Sequence, residues 1–384
     1  GDDIHLSSTS KIDASGATGG GEVLVGGDWQ GAGDMLQATT VTMDSGASID
    51  ANATDNGNGG KVVLWSDISN KNSVTEAHGA INAKGGPNGG DGGRIETSGH
   101  TLRTRNIKVN ASAPNGNGGQ WLLDPSDVTI DAMAASTYSA TLDTGTDVTV
   151  LSDTYILLRS DITTTAGGAS GSATLTLKAD TRVNLTNNIT STAGRLNVVL
   201  WSDANDNASG SERVYVRSNI TTKGGGVWIG GSHSSHNDDA DSNASGTQWT
   251  AYSGKNIEVG DGYSANASAS TVYGTYIPDS IIDTRRTGET GGNLQIYGYS
   301  TGGSSAVSGG IDIRNTDLYT GGGSITLEGI TSDSTTPTHA TGVSINGDAV
   351  GEETNIISDG GDINIIGSTA ADSGYSNGAG VWIG

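Results

Sequence analysis

Two acidic, asparagine-rich segments place side-chain oxygens at the spacing of a calcium-binding loop. Their oxygen-bearing residues are Asp203, Asn205 and Asn207 in the first segment, and Asp239, Asp241 and Asn243 in the second. Alternate positions of a calcium loop supply ligands in the same way. However, Ala208 and Ala244 stand where such a loop has its glycine, and no glutamate closes either segment. The sequence therefore leaves two interpretations open, a calcium site and a solvated polar turn.

Tyrosine side chains are the candidates for a binding surface. The chain has 11 Tyr and 7 Trp but no Phe. Four tyrosines lie close together in sequence around a glycine-rich stretch: Tyr273, Tyr276, Tyr297 and Tyr299. An exposed tyrosine offers a large apolar ring and a polar tip, which suits contact with sugars or with a neighbouring subunit. We expect these four residues to form an interaction surface, and packing against the body of the protein is the alternative.

Carboxylates are numerous, but their spacing predicts no catalytic set. Enzymes that cleave glycosidic bonds need two carboxylates facing one another across the substrate. The residues considered for this role are Asp28, Asp67, Asp203 and Glu212. Each of them also suits the common role of an acidic residue that bonds the backbone amides of a turn. We therefore expect no enzymatic activity, no catalytic residues and no cofactor other than the calcium considered above.

Composition and charge exclude several classes of protein. The 42 acidic and 19 basic residues give a formal net charge of −23, so we expect neither nucleic acid nor an anionic membrane as a partner. The absence of cysteine excludes a disulfide scaffold and thiolate metal sites. No apolar stretch approaches the length of about 18 residues that a membrane helix needs, and no signal peptide is recognised. The sequence predicts a soluble piece of a longer chain without membrane insertion.

A repeated unit of short strands would position these residues. Glycine accounts for 62 of the 384 residues. Between the glycine-rich stretches, however, apolar and polar residues alternate with a period of two, which is typical of strands. One phrase recurs, in which an aliphatic residue is followed by small polar residues, a glycine pair and a strand. The aliphatic residues are Ile12, Ile49, Ile81, Val109, Ile162, Ile189, Ile220, Ile282, Leu318 and Ile356.

Stacking of the repeated units predicts the fold. One such unit cannot bury its own apolar side, whereas stacked copies share a continuous core. The pattern therefore predicts an all-β parallel β-helix, or solenoid, of about eleven or twelve coils that runs through 1–384 as a single segment. Two gaps, from Val109 to Ile162 and from Ile220 to Ile282, are each close to two steps of the repeat. They predict additional strands at 128–130 and 257–259.

Polar insertions interrupt the second half of the chain. They are rich in Ser, Asn and Asp and extend over 204–212, 232–248, 300–309 and 332–341. Loops inserted into a solenoid tend to collect on one face, which is often the binding face. We therefore expect the insertion at 232–248 and the region 273–299, which holds the tyrosine group, to form the contact surface.

Four phrases in the first third of the chain carry a family resemblance. They are GGEVLVGGDWQG at 20–31, GGKVVLWSD at 59–67, GGDGGRIETSGH at 89–100 and ASAPNGNGGQWLLDP at 111–125. In this order they resemble the rod region of filamentous-haemagglutinin-like adhesins, the large exoproteins of two-partner secretion. The resemblance is closest over 1–130, and 131–384 shares only the general coil pattern. It implies a right-handed β-helix that an outer-membrane transporter exports to the bacterial cell surface or the extracellular medium.

The sequence thus predicts a non-enzymatic, extracellular structural and adhesive rod of a large bacterial surface exoprotein. Its expected partners are copies of itself or neighbouring rods, glycans, and host or matrix surfaces. One alternative is a subunit of a self-assembling extracellular filament, because exposed strand edges at the end coils invite pairing. A β-helical polysaccharide lyase or hydrolase is a third hypothesis, but it lacks a recognisable carboxylate set.

Overall fold

The computed structural model describes residues 1–205, 212–231, 271–300, 307–331, 339–347, 352–369 and 378–384. Within these ranges the fold is all-β except for one α-helix and one turn of 3-10 helix, and the strands form parallel sheets of up to eleven strands. This arrangement confirms the predicted parallel β-helix.

The elements of the first half begin with short strands of similar length. They are β1 (Asp3–Leu6), β2 (Lys11–Asp13), β3 (Glu22–Val25), a 3-10 turn (Trp29–Gly31), β4 (Thr40–Met43), β5 (Ser48–Asp50), β6 (Lys61–Trp65), β7 (Val74–Ala77), β8 (Ala80–Asn82), β9 (Arg94–Ser98), β10 (Thr101–Arg103), β11 (Lys108–Asn110), β12 (Gln120–Asp124), β13 (Val128–Ile130), α1 (Ala132–Asp143), β14 (Asp147–Ser152), β15 (Tyr155–Leu158), β16 (Ile162–Thr164), β17 (Ser172–Ala179), β18 (Arg182–Leu185) and β19 (Ile189–Ser191).

The elements of the second half include longer strands. They are β20 (Arg195–Ser202), β21 (Arg213–Val216), β22 (Ile220–Thr221), β23 (Val227–Gly231), β24 (Thr271–Pro278), β25 (Ile281–Asp283), β26 (Leu294–Ser300), β27 (Val307–Arg314), β28 (Asp317–Tyr319), β29 (Ile325–Thr331), β30 (His339–Asn346), β31 (Asn355–Ile357), β32 (Ile363–Thr369) and β33 (Gly378–Ile383).

In chain order the elements repeat as triplets, and each triplet is one coil. The third strands of the triplets form the eleven-stranded sheet, which runs from β3 to β32. The described residues thus contain eleven complete coils, as the repeat predicted, followed by β33. By their contacts the residues separate into two compact units. The first unit comprises Gly1–Asp153, Arg159–Thr176 and Ser191–Leu196, and the second unit comprises Thr154–Leu158, Leu177–Thr190 and Asn197–Gly384.

In the first unit the predicted aliphatic positions stack on one another. Ile12 pairs with Ile49, Ile49 with Ile81, and Ile81 with Val109, residue for residue in adjacent parallel strands. Ile49 and Ile81 are fully buried. Each aliphatic side chain therefore covers its equivalent in the coil below, which is how a solenoid builds a core from units that have none of their own.

Helix α1 is a departure from the predicted pattern in the first unit. The gap from Val109 to Ile162 does hold two steps, and the strand predicted at 128–130 is present as β13. The second place of that coil, however, is taken by α1 (Ala132–Asp143) instead of a strand. The Asp131 carboxylate caps the helix by accepting hydrogen bonds from the amides of Met133 and Ala134. Such a cap satisfies two of the amides that a helix start leaves without partners.

The second unit corrects the interpretation of the other long gap. Ile220 pairs directly with Ile282, so β22 and β25 are adjacent strands. The neighbouring strands β23 and β26 also pair directly, with Val227 opposite Leu294. The two-step prediction is therefore wrong, because no coil separates these strands; the gap is one step with a long connection. The strand predicted at 257–259 falls outside the described residues.

Glycine allows two sheets of the second unit to touch through their backbones. The eleven-stranded sheet contributes one column of glycines and the opposing strands β27, β30 and β33 contribute another. We call this contact the glycine seam, and its residues are Gly298, Gly329 and Gly367 on one side and Gly310, Gly342 and Gly380 on the other. A Cβ atom added to Gly329 would lie 2.0 Å from the carbonyl oxygen of Gly342, and one added to Gly367 would lie 1.8 Å from that of Gly380. These positions therefore admit no side chain.

Candidate functional site

Only two of the residues predicted to bind calcium lie in the described part of the chain. Asp203 follows β20 with a positive φ of 53° and is fully buried. Asn205 donates a hydrogen bond from Nδ2 to Oδ2 of Asp180, at 3.0 Å. The described residues hold no group of three or more His, Asp or Glu side chains arranged for a metal ion. The other predicted ligands lie outside these residues, so both calcium loops stay predictions: Asn207, Asp239, Asp241 and Asn243.

The four tyrosines predicted to form one surface lie on two different sheets. Tyr273 and Tyr276 are in β24, which belongs to the eight-stranded sheet, whereas Tyr297 and Tyr299 are in β26 of the eleven-stranded sheet. Tyr297 is only 6% exposed and packs in a buried cluster with Trp228. Consecutive strands of a coil belong to different sheets, so the four tyrosines are distributed over two sheets. Their role as an interaction surface stays a prediction.

Tyr276 instead joins an aromatic and basic surface on the eight-stranded sheet. We define the tyrosine–arginine strip as the outward side chains of three successive strands, β15, β18 and β21, with the residue that follows β21. Its members are Tyr155, Arg182, Arg213, Tyr215 and Arg217. The register places Tyr155 opposite Arg182 and Arg182 opposite Arg213. The alternate residues Ile156, Val183 and Val214 are fully buried, so the period of two turns the polar residues outward.

Tyrosine rings hold two of the arginines of the strip in place. The guanidinium carbon of Arg182 lies 5.5 Å from the ring centre of Tyr155, and that of Arg217 lies 5.0 Å from the ring centre of Tyr215. Both distances suit cation–π attraction. The Tyr215 ring in turn stacks on Tyr276, with ring centres 5.2 Å apart and planes 20° apart. The side chains of the strip therefore form an ordered layer on the sheet.

The strip is basic although the chain is strongly acidic. No Asp or Glu occurs in β15, β18 or β21. Among the described residues, no carboxylate forms an ion pair with Arg182, Arg213 or Arg217. Arg182 and Arg217 are exposed. Sequence reasoning missed this surface because its arginines come from two coils and form no basic run. The signal available was an arginine that opens two successive strands, at Arg182 and Arg213.

The carboxylates considered for catalysis lie at turns or in buried positions. Asp28 caps the 3-10 turn and accepts a hydrogen bond from Lys61 Nζ at 2.7 Å; this bond is the main reason that its pKa is lowered. Asp67 accepts hydrogen bonds from the amide and the hydroxyl of Ser69. Asp203 and Glu212 are fully buried. Asp28 and Asp67 thus bond the backbone amides of turns, a role that acidic residues commonly have.

Two carboxyl groups whose pKa values are raised to about 7, which the sequence did not single out, lie in the first unit. Glu96 is fully buried on β9 and accepts hydrogen bonds from the Gln30 amide at 2.8 Å and the Ser98 hydroxyl at 2.9 Å. Burial raises its pKa to about 7, and the charges of Asp124 and Asp28 add to the effect. Burial likewise raises the pKa of Asp147 to about 7. Because Glu96 has no exposed surface, it has no direct access to a substrate and acts within the fold.

The strands that flank the predicted insertions end and begin at one corner of the coil. Eight successive connections leave the carboxyl end of a strand in the eleven-stranded sheet and enter a strand of the eight-stranded sheet, and the last five of them are the longer ones. These five are β20 to β21, β23 to β24, β26 to β27, β29 to β30 and β32 to β33. The predicted loop limits were too wide, since 307–309 begin β27 and 339–341 begin β30. The structure therefore aligns the strand ends at which these connections begin, and the position of the insertions themselves stays a prediction.

Comparison with known proteins gives no family assignment. In the described residues, no helix is long and apolar enough to cross a membrane. No protein-family model matches the chain. No curated protein matches it either. The resemblance to filamentous-haemagglutinin-like adhesins therefore remains a prediction from the four phrases, and function is argued from the fold and its surfaces.

Proposed function

We propose that this chain is a non-enzymatic structural and adhesive segment of a large bacterial surface exoprotein, displayed outside the cell, where it attaches the cell to surfaces, matrix or other cells. The observation that carries the proposal is the alignment, at one corner of successive coils, of the strand ends that the five longer connections join. A solenoid core fixes the spacing of such connections, while their sequences are free to vary. This division between a regular core and polar insertions suits a protein whose task is contact.

The residues quoted for the family resemblance support the same proposal. The phrases at 20–31, 59–67, 89–100 and 111–125 contain the strands β3, β6, β9 and β12, which are successive neighbours in one parallel sheet. Export through an outer-membrane transporter and display at the cell surface are the parts of the proposal that rest on the resemblance. The lack of cysteine is compatible with export, because no disulfide has to form before the coils fold.

Removal of 232–270 tests the adhesive role. We expect a variant with a short Gly-Ser linker between Gly231 and Thr271 to keep its coils, because β23 and β26 pair directly. Its attachment to matrix-coated surfaces should fall about tenfold, which corresponds to the loss of about 1.4 kcal/mol of contact free energy. Circular dichroism would verify the fold. Attachment would be measured by coating beads with the protein and counting the beads that stay bound to the matrix-coated surface. The control variant replaces 301–306 with the same linker; undiminished attachment after removal of 232–270 would contradict the proposed role of this insertion.

A filament subunit is the second candidate, and a specific observation favours it. The last described strands expose large apolar side chains on adjacent strand edges: Ile363 at 44%, Ile366 at 52%, Trp382 at 48% and Ile383 at 70%. An unpaired apolar strand edge is a template for pairing with another chain. This surface would suit association between copies of the chain.

Substitution of Ile366 and Trp382 tests the second candidate. If this surface drives assembly, the chain should form oligomers whose size falls on dilution, and the double variant Ile366→Lys, Trp382→Lys should sediment as a monomer, because two buried charges would oppose the contact. Sedimentation velocity over a range of concentrations measures this. The control is Leu36→Lys, since Leu36 is 86% exposed but lies in a loop. Monomeric wild-type protein at every concentration would exclude the filament.

A further inference from the structure

We propose that the tyrosine–arginine strip binds a linear polysaccharide that carries carboxylate groups, a polymer of uronic acids. This inference rests on the proposed adhesive function and names a partner for one surface of the segment. The strip comprises Tyr155, Arg182, Arg213, Tyr215 and Arg217, all of which belong to the second unit.

Charge is the first argument for an anionic ligand. Arg182, Arg213 and Arg217 lie on one face without an acidic residue in their strands, although the chain as a whole has a net charge of −23. None of the three has an ion-pair partner among the described residues. An arginine side chain loses conformational freedom when it is ordered. Two of the three are already held over tyrosine rings, so the arginines form a surface complementary to anionic groups.

Geometry is the argument for an extended chain of repeated units. Neighbouring parallel strands are about 4.8 Å apart, so the strip presents a cationic group on each of two successive coils and a further one, Arg217, beside Tyr215. A polymer that runs along the coils would meet this pattern without bending. A compact anion can contact the paired residues Arg182 and Arg213 together, but not Arg217 as well, which lies four residues, or about 13 Å, along the strand from Arg213.

The chemistry of the arginines and tyrosines favours a carboxylated sugar. The guanidinium group donates two parallel hydrogen bonds to a carboxylate. The same sheet already contains an arginine–carboxylate pair joined by one such bond, since Arg314 Nε donates to Asp312 Oδ2 at 2.6 Å. Tyrosine rings offer flat apolar faces and hydroxyl groups to sugar rings. Tyr155 and Tyr215 are half-buried, which leaves part of each ring for contact.

Nucleic acid fits the same surface less well. Duplex DNA carries one negative charge per about 1.7 Å, and its affinity for proteins comes mainly from many lysine and arginine contacts. Three arginines on a chain with a net charge of −23 would not offset the repulsion from the rest of the surface. A uronic acid polymer has a lower charge density and gains stacking on the tyrosines as well.

Binding of polygalacturonate tests the proposal. Titration calorimetry with the full chain should show binding of polygalacturonate and no binding of its fully methyl-esterified form, which has the same backbone without charge. The triple variant Arg182→Gln, Arg213→Gln, Arg217→Gln should bind at least about tenfold more weakly, a loss of about 1.4 kcal/mol. The matched control is Arg285→Gln, Arg286→Gln, because those arginines already pair with Asp283 and Glu289. The control variant should bind as the wild type does.

Other outcomes would overturn the proposal. Equal affinity of the triple variant and the wild type would exclude the strip as the site. Equal affinity for dextran sulfate, single-stranded DNA and polygalacturonate would indicate unspecific attraction instead of carboxylate recognition. Replacement of the three arginines by lysine keeps the charge, so full binding by that variant would exclude the bidentate contact. Circular dichroism would verify that each variant is folded.

The test separates this inference from the proposed function. If the chain attaches to surfaces but does not bind polygalacturonate, the strip proposal fails and the adhesive function stands. If the chain binds polygalacturonate but beads coated with the chain attach to no matrix-coated surface, the adhesive function fails and the strip proposal stands.

Discussion

Replacement of Gly329 by alanine is expected to lower the free energy of unfolding of the second unit by about 3 kcal/mol or more. The new Cβ would lie 2.0 Å from the Gly342 carbonyl oxygen and 2.6 Å from its carbon. Both are backbone atoms, which cannot rotate away as a side chain can. Gly329 also pairs with Gly298 and Gly367 in adjacent strands, so a shift of one strand would strain the ladder on both sides.

Urea unfolding monitored by tryptophan fluorescence would measure this loss. The matched control is Gly378→Ala in β33, since a Cβ there has Thr369 Oγ1 as its nearest neighbour at 3.5 Å, an ordinary contact. We expect the control to change the unfolding free energy by less than about 0.5 kcal/mol. Equal midpoints for Gly329→Ala and Gly378→Ala would show that the two sheets can separate at the glycine seam without cost.

A rise from about pH 5 to about pH 8 is expected to destabilise the coils of the first unit around Glu96 and Asp147. The pKa of each carboxyl is raised to about 7 in the folded protein, from ordinary values of 4.5 and 3.8. Between the ordinary and the raised pKa the folded state holds a proton that the unfolded state has lost. Stability is therefore greatest below the ordinary pKa and falls as the pH rises to about 7. Each group contributes on the order of 3 kcal/mol to this change.

Amide hydrogen exchange in β9, β12 and β14 would detect the change locally. Glu96→Gln and Asp147→Asn keep the side-chain shape without a titrating group, so the double variant should show protection that depends little on pH in this range. Asp34→Asn, at an exposed site in the same unit, should behave as the wild type does. High salt in all samples screens the repulsion within the acidic chain. An unchanged pH dependence in the double variant would contradict the assignment.

The coil register was predictable because aliphatic side chains determine it. In the second unit Ile220, Ile282, Leu318 and Ile356 pair in succession, as the recurring phrase predicted. A slip of one residue would turn each of these side chains outward. The recurring phrase therefore determines the register of the coils, even where its copies lie far apart in the sequence.

Helix α1 was not predictable from periodicity. Its residues are mostly Ala, Ser and Thr, so the sequence shows no apolar stripe. Its packing decides the conformation, because Tyr138 contacts Trp121 edge to face with ring centres 5.8 Å apart and Leu142 is fully buried. Such contacts involve residues of other coils, which a local pattern does not contain.

The candidate surface was predictable only in part. The sequence indicated tyrosine as the residue type of an interaction surface. However, Tyr276 and Tyr297 belong to different sheets, because one coil passes through several sheets within a few residues. Arg182 lies one coil from Arg213 and Arg217, so their closeness depends on the stacking of strands. In a solenoid, surface groups are therefore found by comparing equivalent positions of successive coils.

The direct pairing of Ile220 with Ile282 has a practical consequence for engineering. Several dozen residues of sequence separate β23 from β24, yet the coils before and after them pair directly. The register is therefore independent of the length of chain at this corner. The loop-closure free energy grows only slowly with length. Foreign epitopes or small domains could therefore be grafted between β23 and β24, with the coils serving as a display scaffold.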